Sequence, residues 1–337
     1  MVQSCSGLEL GKRLLSRRID TRFAVMGLVL KKINAIKITI LLMLVLGSSA
    51  YGQEIGQYQH WLDLTAIDQG FADRSAEIGR TGAFLEILGE DSIVFRSNRG
   101  GPIDAMELYT SESFQREANE INWKAHYVDV SRDGDLGLSA GPLTVINEDG
   151  ENGFGHLISI WRKKVAKWEL MADIVVNIPG FLSLDVEANF DDTLPVLEET
   201  AHPVMAMIEG NTQQSLIDAD LLFGRSINFR GGQRALLRWG MENVRVYLPG
   251  MAPAVGANYA SSVYGTFLDN QLFTINEISL NYVGGYISTS KEMGYTYGTM
   301  ATIADESEQA FEASYMRLWR LTPSNEWKIA VEVLSPF

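Results

Sequence analysis

The chain has 337 residues, 46% hydrophobic and 21% charged, with 28 Lys/Arg against 42 Asp/Glu for a formal net charge of −14. It is long enough to bury a sizeable core without disulfides, and its one cysteine, Cys5, leaves none to form. The acidic balance repels phosphate backbones and anionic lipid heads, which argues against nucleic acid as a partner.

The first fifty or so residues read as a targeting segment. Ile38 to Leu46 is a short apolar run preceded by Lys31, Lys32 and Lys37 and followed by Gly47, Ser48, Ser49 and Ala50. A basic start, an apolar centre and small residues at Ala50-Tyr51-Gly52 make a secretory signal peptide, with cleavage before Gln53. The alternative, a membrane anchor, needs ~20 apolar residues, more than this run supplies. The arginines before Met26 would give an unusually long basic region, so Met26 is the expected start. Residues 1–52 hold eight Lys/Arg and two Asp/Glu, leaving 20 basic and 40 acidic side chains and a formal −20 after cleavage. The expected location is therefore exported, periplasmic or extracellular, with no stable membrane anchor.

A helix is predicted from Trp61 to Gly79, where Leu64, Ile67, Phe71, Ser75 and Ile78 recur at three- and four-residue steps. A short helix over Thr81–Leu88 follows, then a strand over Ser92–Phe95. Pro102 is expected to open a third helix through Tyr109. Four strands are predicted over Ile121–Ser131, Leu136–Ile146, Phe154–Lys163 and Trp168–Asn177, separated by turn signals such as Arg132-Asp133-Gly134-Asp135. Residues 179–212, with Pro179, Pro195 and Pro203, form a connection. The same order then returns: helices at Leu216–Arg230 and Gln233–Trp239, a strand at Val244–Leu248, a helix at Ala257–Leu268, and strands at Phe273–Thr289, Gly294–Ala304, Phe311–Leu321 and Trp327–Val333.

The residues repeat as well as the elements. Trp161-Arg162 and Trp168-Glu169-Leu170 recur as Trp319-Arg320 and Trp327-Lys328-Ile329, and Gly137 to Gly141 recurs as Gly294 to Gly298. The separations are 157 to 159 residues, so the chain is a tandem of one small domain, residues 53–178 and 213–337.

The segment from Arg74 to Arg96, with the Gly294–Thr299 strand and the two Trp hairpins, resembles the domain-of-unknown-function 4440 and SnoaL-like groups of the nuclear-transport-factor-2-like superfamily. The resemblance covers both copies. It implies an α+β fold: two tandem cone-shaped domains, each a curved mixed β-sheet wrapped around about three helices, with a pocket at the open end. Members include isomerases, cyclases, dehydratases and binding domains, so the fold does not assign a function.

Isomerase-type members place a carboxylate base just after the first strand. Here that place holds Arg96-Ser97-Asn98 in the first copy and Leu248-Pro249-Gly250 in the second, so proton-shuttle chemistry of that kind is disfavoured. Arg96, at a strand end near the expected pocket mouth, is a candidate to grip a ligand carboxylate, or else a surface arginine paired with an acid. Strand alternation sets Trp123, Ala125, Tyr127 and Asp129 on one face and His126 on the other; Trp123 and His126 are candidate ligand contacts. His156 is a candidate general acid/base or polar anchor, or a histidine that is simply hydrogen-bonded, and Asp129 is a second candidate proton carrier. Tyr295 and Tyr297 share a face in the second copy, where the first has Leu138 and Ala140, and are candidate ligand contacts; facing inward, they would narrow the second cavity. The repeated tryptophans suit packing, and Asp173 and Glu332, at matching places in the last strands, are expected to be exposed. The four histidines lie in no metal-ligand spacing, and no phosphate loop, dinucleotide fingerprint or nucleophile elbow occurs, so neither metal nor cofactor is expected.

The expected function is binding of a small apolar or carboxylate-bearing molecule in the first cone without catalysis. The alternatives are a SnoaL/ketosteroid-isomerase-like isomerase, cyclase or hydrolase, and a protein-interaction module using the outer sheet face. By analogy with dimeric relatives, the two copies are expected to pair as an intramolecular pseudo-dimer.

Overall fold

The structure, a computed structural model, describes residues 56–96, 100–111, 120–147, 150–192, 212–272, 277–302 and 311–337. The predicted signal peptide and the Met26 start lie outside the described residues, as do His202 and most of the connection.

Helix α1, residues 56–78, buries Trp61, Leu64, Asp68, Phe71 and Ser75. Steps of three and four lay these on one stripe against the sheet. Ile67 and Ile78, expected in that stripe, are exposed, and the polar Asp68 takes an inner place. Gly79, at φ 84°, turns the chain into α2 (Arg80–Ile87), a backbone conformation that a side chain would strain. Then come β1 (Leu88–Phe95), β2 (Pro102–Asp104) and α3 (Ala105–Thr110). Pro102 therefore opens an edge strand rather than a helix, paired with Phe95 where a missing N–H costs least. The Asp104 carboxylate caps α3 by accepting from the Glu107 N–H at 2.8 Å.

The predicted strand over Ile121–Ser131 is two strands, β3 (Glu120–Trp123) and β4 (Tyr127–Val130), both paired with β5 (Leu136–Ile146). Trp123 lies opposite Leu143 and Tyr127 opposite Ala140, so the chain advances four residues against three. The extra residue reverses the facing of everything after it. Across from the break sits Gly141, where a Cβ would lie 1.8 Å from the Lys124 carbonyl oxygen; a Cβ on the equivalent Gly298 would lie 2.1 Å from the Asn281 carbonyl oxygen. Only glycine admits that backbone. Strands β6 (Asn152–Lys164) and β7 (Lys167–Ile178) complete the first sheet.

The second copy contains α4 (Gln213–Arg230), α5 (Gly232–Trp239), β8 (Gly240–Tyr247), β9 (Ala254–Val255), α6 (Ala257–Leu272), β10 (Ile278–Ile287), β11 (Met293–Thr302), β12 (Glu312–Leu321) and β13 (Trp327–Pro336). The sheets share one topology. The first runs β2-β1-β7-β6-β5-β3, with β4 beside β3 on β5, and the second runs β9-β8-β13-β12-β11-β10. Only β1/β7 and β8/β13 are parallel among these pairs, and both sheets slip register at matching places, Ile160/Trp161 and Leu318/Trp319. The fold is α+β, two mixed sheets each packed against helices.

Buried residues form three clusters. One lies between helices and sheet in each copy, and Trp161, Trp168, Trp319 and Trp327 sit in these interiors. The third lies between the sheets: Leu138, Ile158, Ile160 and Ile174 from the first meet Met293, Tyr295, Met316, Leu318 and Val331 from the second. The outer sheet faces thus cover one another, and the face that an interaction module would offer a partner is already buried.

Candidate functional site

A cavity of about 180 Å³ opens inside the first cone. Its walls are apolar: Phe84 from α2, Phe95 at the end of β1, Ile121 and Trp123 from β3, Leu143 and Val145 from β5, Leu157 from β6 and Val175 from β7. Polar atoms come from Arg80, Arg96, Asp173 and Asn177. Trp123 is also a wall of an outer groove of about 400 Å³ beside α1 and Phe181.

The polar end is assembled from separate elements. Arg96 donates from Nη2 to the Tyr109 hydroxyl of α3 at 3.2 Å, and the Tyr109 ring stacks on Phe84 at 4.7 Å. The Arg80 guanidinium lies 5.8 Å from the Phe84 ring. Asp173 was expected at the surface; it is 2% exposed, on the face of β7 that α2 covers, and its Oδ2 has no hydrogen-bond partner. Burial pushes its carboxyl pKa up, with Arg96 and then Arg80 pulling it down. The Tyr109 hydroxyl is likewise raised, by burial and then by Asp173.

Of the predicted site residues, Arg96 and Trp123 line this cavity. The others do not. His156 is buried on the outer face, edge-on to Tyr247 of the second copy at 5.5 Å, because Leu157 takes the inward place. Burial lowers its pKa to about 4, so it is neutral at ordinary pH. His126, half-buried in the break between β3 and β4, is also absent from the lining, and burial and then Lys124 lower its pKa. Asp129, turned outward by the register slip, forms a buried ion pair across the two copies with Arg320, whose Nε lies 3.0 Å from Oδ2. Burial raises the Asp129 pKa, and Arg320 opposes it. Arg320 also pairs with Glu292, which in turn accepts from the Arg132 N–H at 2.7 Å. Tyr295 and Tyr297 stack on each other at 6.1 Å, with Tyr297 edge-on to Phe95 of the first copy at 6.0 Å, so they belong to the contact between the sheets and not to a cone interior. The two candidate proton carriers, His156 and Asp129, thus both face away from the cavity.

The second interior holds a buried charge network to which Tyr295 and Tyr297 do not contribute. Arg317 on β12 is fully buried, donating to Glu332 at 2.6 and 3.1 Å and to Asp220 at 2.8 Å. The Tyr315 hydroxyl donates to Asp220 at 2.7 Å and the Tyr264 hydroxyl to Glu332 at 3.2 Å. Burial works against the Arg317 charge, but Glu332 and Asp220 reverse it and hold the guanidinium protonated. In the first copy Asp68, Asp173 and Tyr109 occupy the places of Asp220, Glu332 and Tyr264, and Ser159 stands where Arg317 does. The Trp161 indole N–H donates to Ser139 and Ser139 to Asp68, as Trp319 does to Thr296 and Thr296 to Asp220. Without the arginine, burial lifts the Asp68 pKa to about 6, with the Ser139 hydroxyl and then Trp123 pulling the other way. Two interior differences between the copies, Arg317 against Ser159 and Tyr315 against Leu157, put a buried cation and a tyrosine where the first cone has space.

Fold and site define a duplicated α+β cone protein with an open, polar-ended first cone. No family model and no curated protein matches the chain. Its neighbours among solved structures include nuclear-transport-factor-2-like and ketosteroid-isomerase-like proteins. One is a ketosteroid isomerase-like protein from Erwinia carotovora atroseptica, at 16% identity and a TM-score of 0.28, covering 40% of this chain and 98% of that chain. Another is an NTF-2 like protein of unknown function from Shewanella oneidensis, at 11% and 0.29, covering 36% and 96%. A third is the epoxide hydrolase/cyclase-like enzyme SalBIII, at 15% and 0.28, covering 38% and 94%.

Proposed function

We propose that the first copy binds a small, largely apolar molecule bearing a carboxylate, and that binding rather than turnover is its task. The observation that carries this reading is the cavity itself, an apolar funnel ending on Arg80 and Arg96. Two guanidiniums at the end of an apolar pocket match an anionic head on an apolar body. Aromatic walls of Phe84 and Trp123 supply the area, and a cavity of about 180 Å³ sets the size at a single ring or a short chain. A thermal-shift screen of residues 53–337 against metabolites, with Arg96→Ala alongside, tests it. A stabilising carboxylate lost in the variant is expected; hits confined to neutral or cationic compounds, or hits that survive the substitution, would refute it.

A second reading, an isomerase- or cyclase-like reaction, is favoured by one observation: a buried carboxyl oxygen of Asp173 without a partner inside the cavity. Asp173 would then be the proton carrier. Turnover of a bound hit that stops in Asp173→Asn would establish it.

We also infer that the tandem is the covalent counterpart of a dimer, supported by the buried cluster that both sheets share. A scattering envelope with two separated lobes would remove that inference. Export rests on residues 1–52 alone; N-terminal sequencing of the secreted protein is expected to begin at Gln53.

A further inference from the structure

We propose that the first cone takes up its anionic ligand together with one proton, which the Asp173 carboxyl holds and donates as a hydrogen bond to the ligand. This rests on the reading of the first cone as a carboxylate site. Asp173 lines the cavity, is 2% exposed, and its Oδ2 accepts no hydrogen bond. The groups around it come from every element packed there. Arg80 projects from α2, Arg96 follows β1, and the Tyr109 hydroxyl reaches in from α3. The cross-strand neighbours, Ser159 on β6 and Val94 on β1, do not titrate. The other two buried carboxyls among the described residues of this copy, Asp68 on α1 and Asp129 on β4, are held by Ser139 at 2.6 Å and by Arg320, and neither is part of the lining.

A ligand carboxylate drawn toward Arg80 and Arg96 therefore meets Asp173 in the same water-poor space. Two ionised carboxylates at close range in a low dielectric repel, which favours a proton on one of them. The arginines do not release theirs, so the proton comes from solvent. Burial has already moved Asp173 toward the protonated form. Its Oδ2 then changes from an acceptor with nothing to accept into a donor facing the ligand. The second copy is the internal control. Glu332, in the same place, accepts two hydrogen bonds from Arg317, a cation of the cone's own.

Isothermal titration of the full chain with benzoate and trans-cinnamate at pH 6 and pH 8 tests this, using phosphate and Tris buffers and benzamide as neutral control. Different ionisation heats of the two buffers report the protons taken up. Expected are uptake approaching one proton per benzoate at pH 8 and an affinity falling about tenfold per pH unit there. Asp173→Asn, which keeps a donor but cannot titrate, is expected to bind benzoate at pH 8 at least as tightly as wild type, without uptake or pH dependence. Asp68→Asn is expected to keep the uptake. Benzoate binding with no uptake and no pH dependence overturns the proton proposal and leaves the carboxylate site standing. Binding of neither probe at either pH overturns both. Should Asp173→Asn fail to fold, the buffer dependence of the wild-type chain decides alone.

Discussion

Replacing Arg317 with methionine separates charge from packing in the second cone. The methionine keeps an apolar stem over Phe223 and Tyr315, rings that lie 4.7 and 3.9 Å from the guanidinium carbon. It removes three hydrogen bonds and leaves Asp220 and Glu332, both fully buried, without their cation. Breaking a buried ion pair from one side costs about 3–5 kcal/mol, because a carboxylate is left in low dielectric. The first copy shows how such a carboxyl relaxes: Asp68, with no arginine, is pushed up to about 6. A carboxyl raised in the folded state contributes stability that is full below its unfolded pKa and lost as pH rises through the folded one. Burial favours the protonated form of a carboxyl freed by the substitution, so protonation recovers part of the loss between pH 8 and pH 5. Urea unfolding of variant and wild type at pH 5 and pH 8 measures both numbers. A loss under about 1 kcal/mol at pH 8, well short of the range for a broken buried pair, would refute the reasoning, as would equal losses at the two pH values.

Asp68→Asn should act in the opposite direction, since the rise from 3.8 to about 6 corresponds to roughly 3 kcal/mol of strain from the ionised form. Unfolding at pH 8 should show the variant more stable by up to that amount, and at pH 4 the gain should vanish. Ser159→Arg should rebuild in the first copy the seal that Arg317 makes in the second, abolishing thermal-shift hits while circular dichroism stays that of a folded chain. Across the two copies, a double-mutant cycle of Arg320→Met and Asp129→Asn should give a coupling of about 1–3 kcal/mol by urea unfolding; a coupling near zero would mean that the ion pair does not hold the sheets together.

Local periodicity made the duplication, the order of elements and the packing tryptophans legible, because helical stripes, strand lengths and turn residues are written in neighbouring positions. The predicted stripe of α1 includes Ile67, which is exposed, whereas its neighbour Asp68 lies inward on Ser139, a partner 71 residues away that local periodicity does not reveal. Trp123 and Asp129, six residues apart, read as one face; a single extra residue at the Lys124–His126 break put one in the cavity and the other in an ion pair with Arg320. Arg96 was found from its place at a strand end, whereas Asp173, Arg80 and Arg317 carried no local signal. The sequence by itself determined that two copies of one α+β unit exist and where most of their elements lie, the Pro102 strand and the split of β3 from β4 excepted. Only the tertiary structure decided which face of each sheet became a cone interior and which became the contact between copies. Strands with a period of two offer two apolar faces, and the chain does not say which one helices will cover and which one a second sheet will cover.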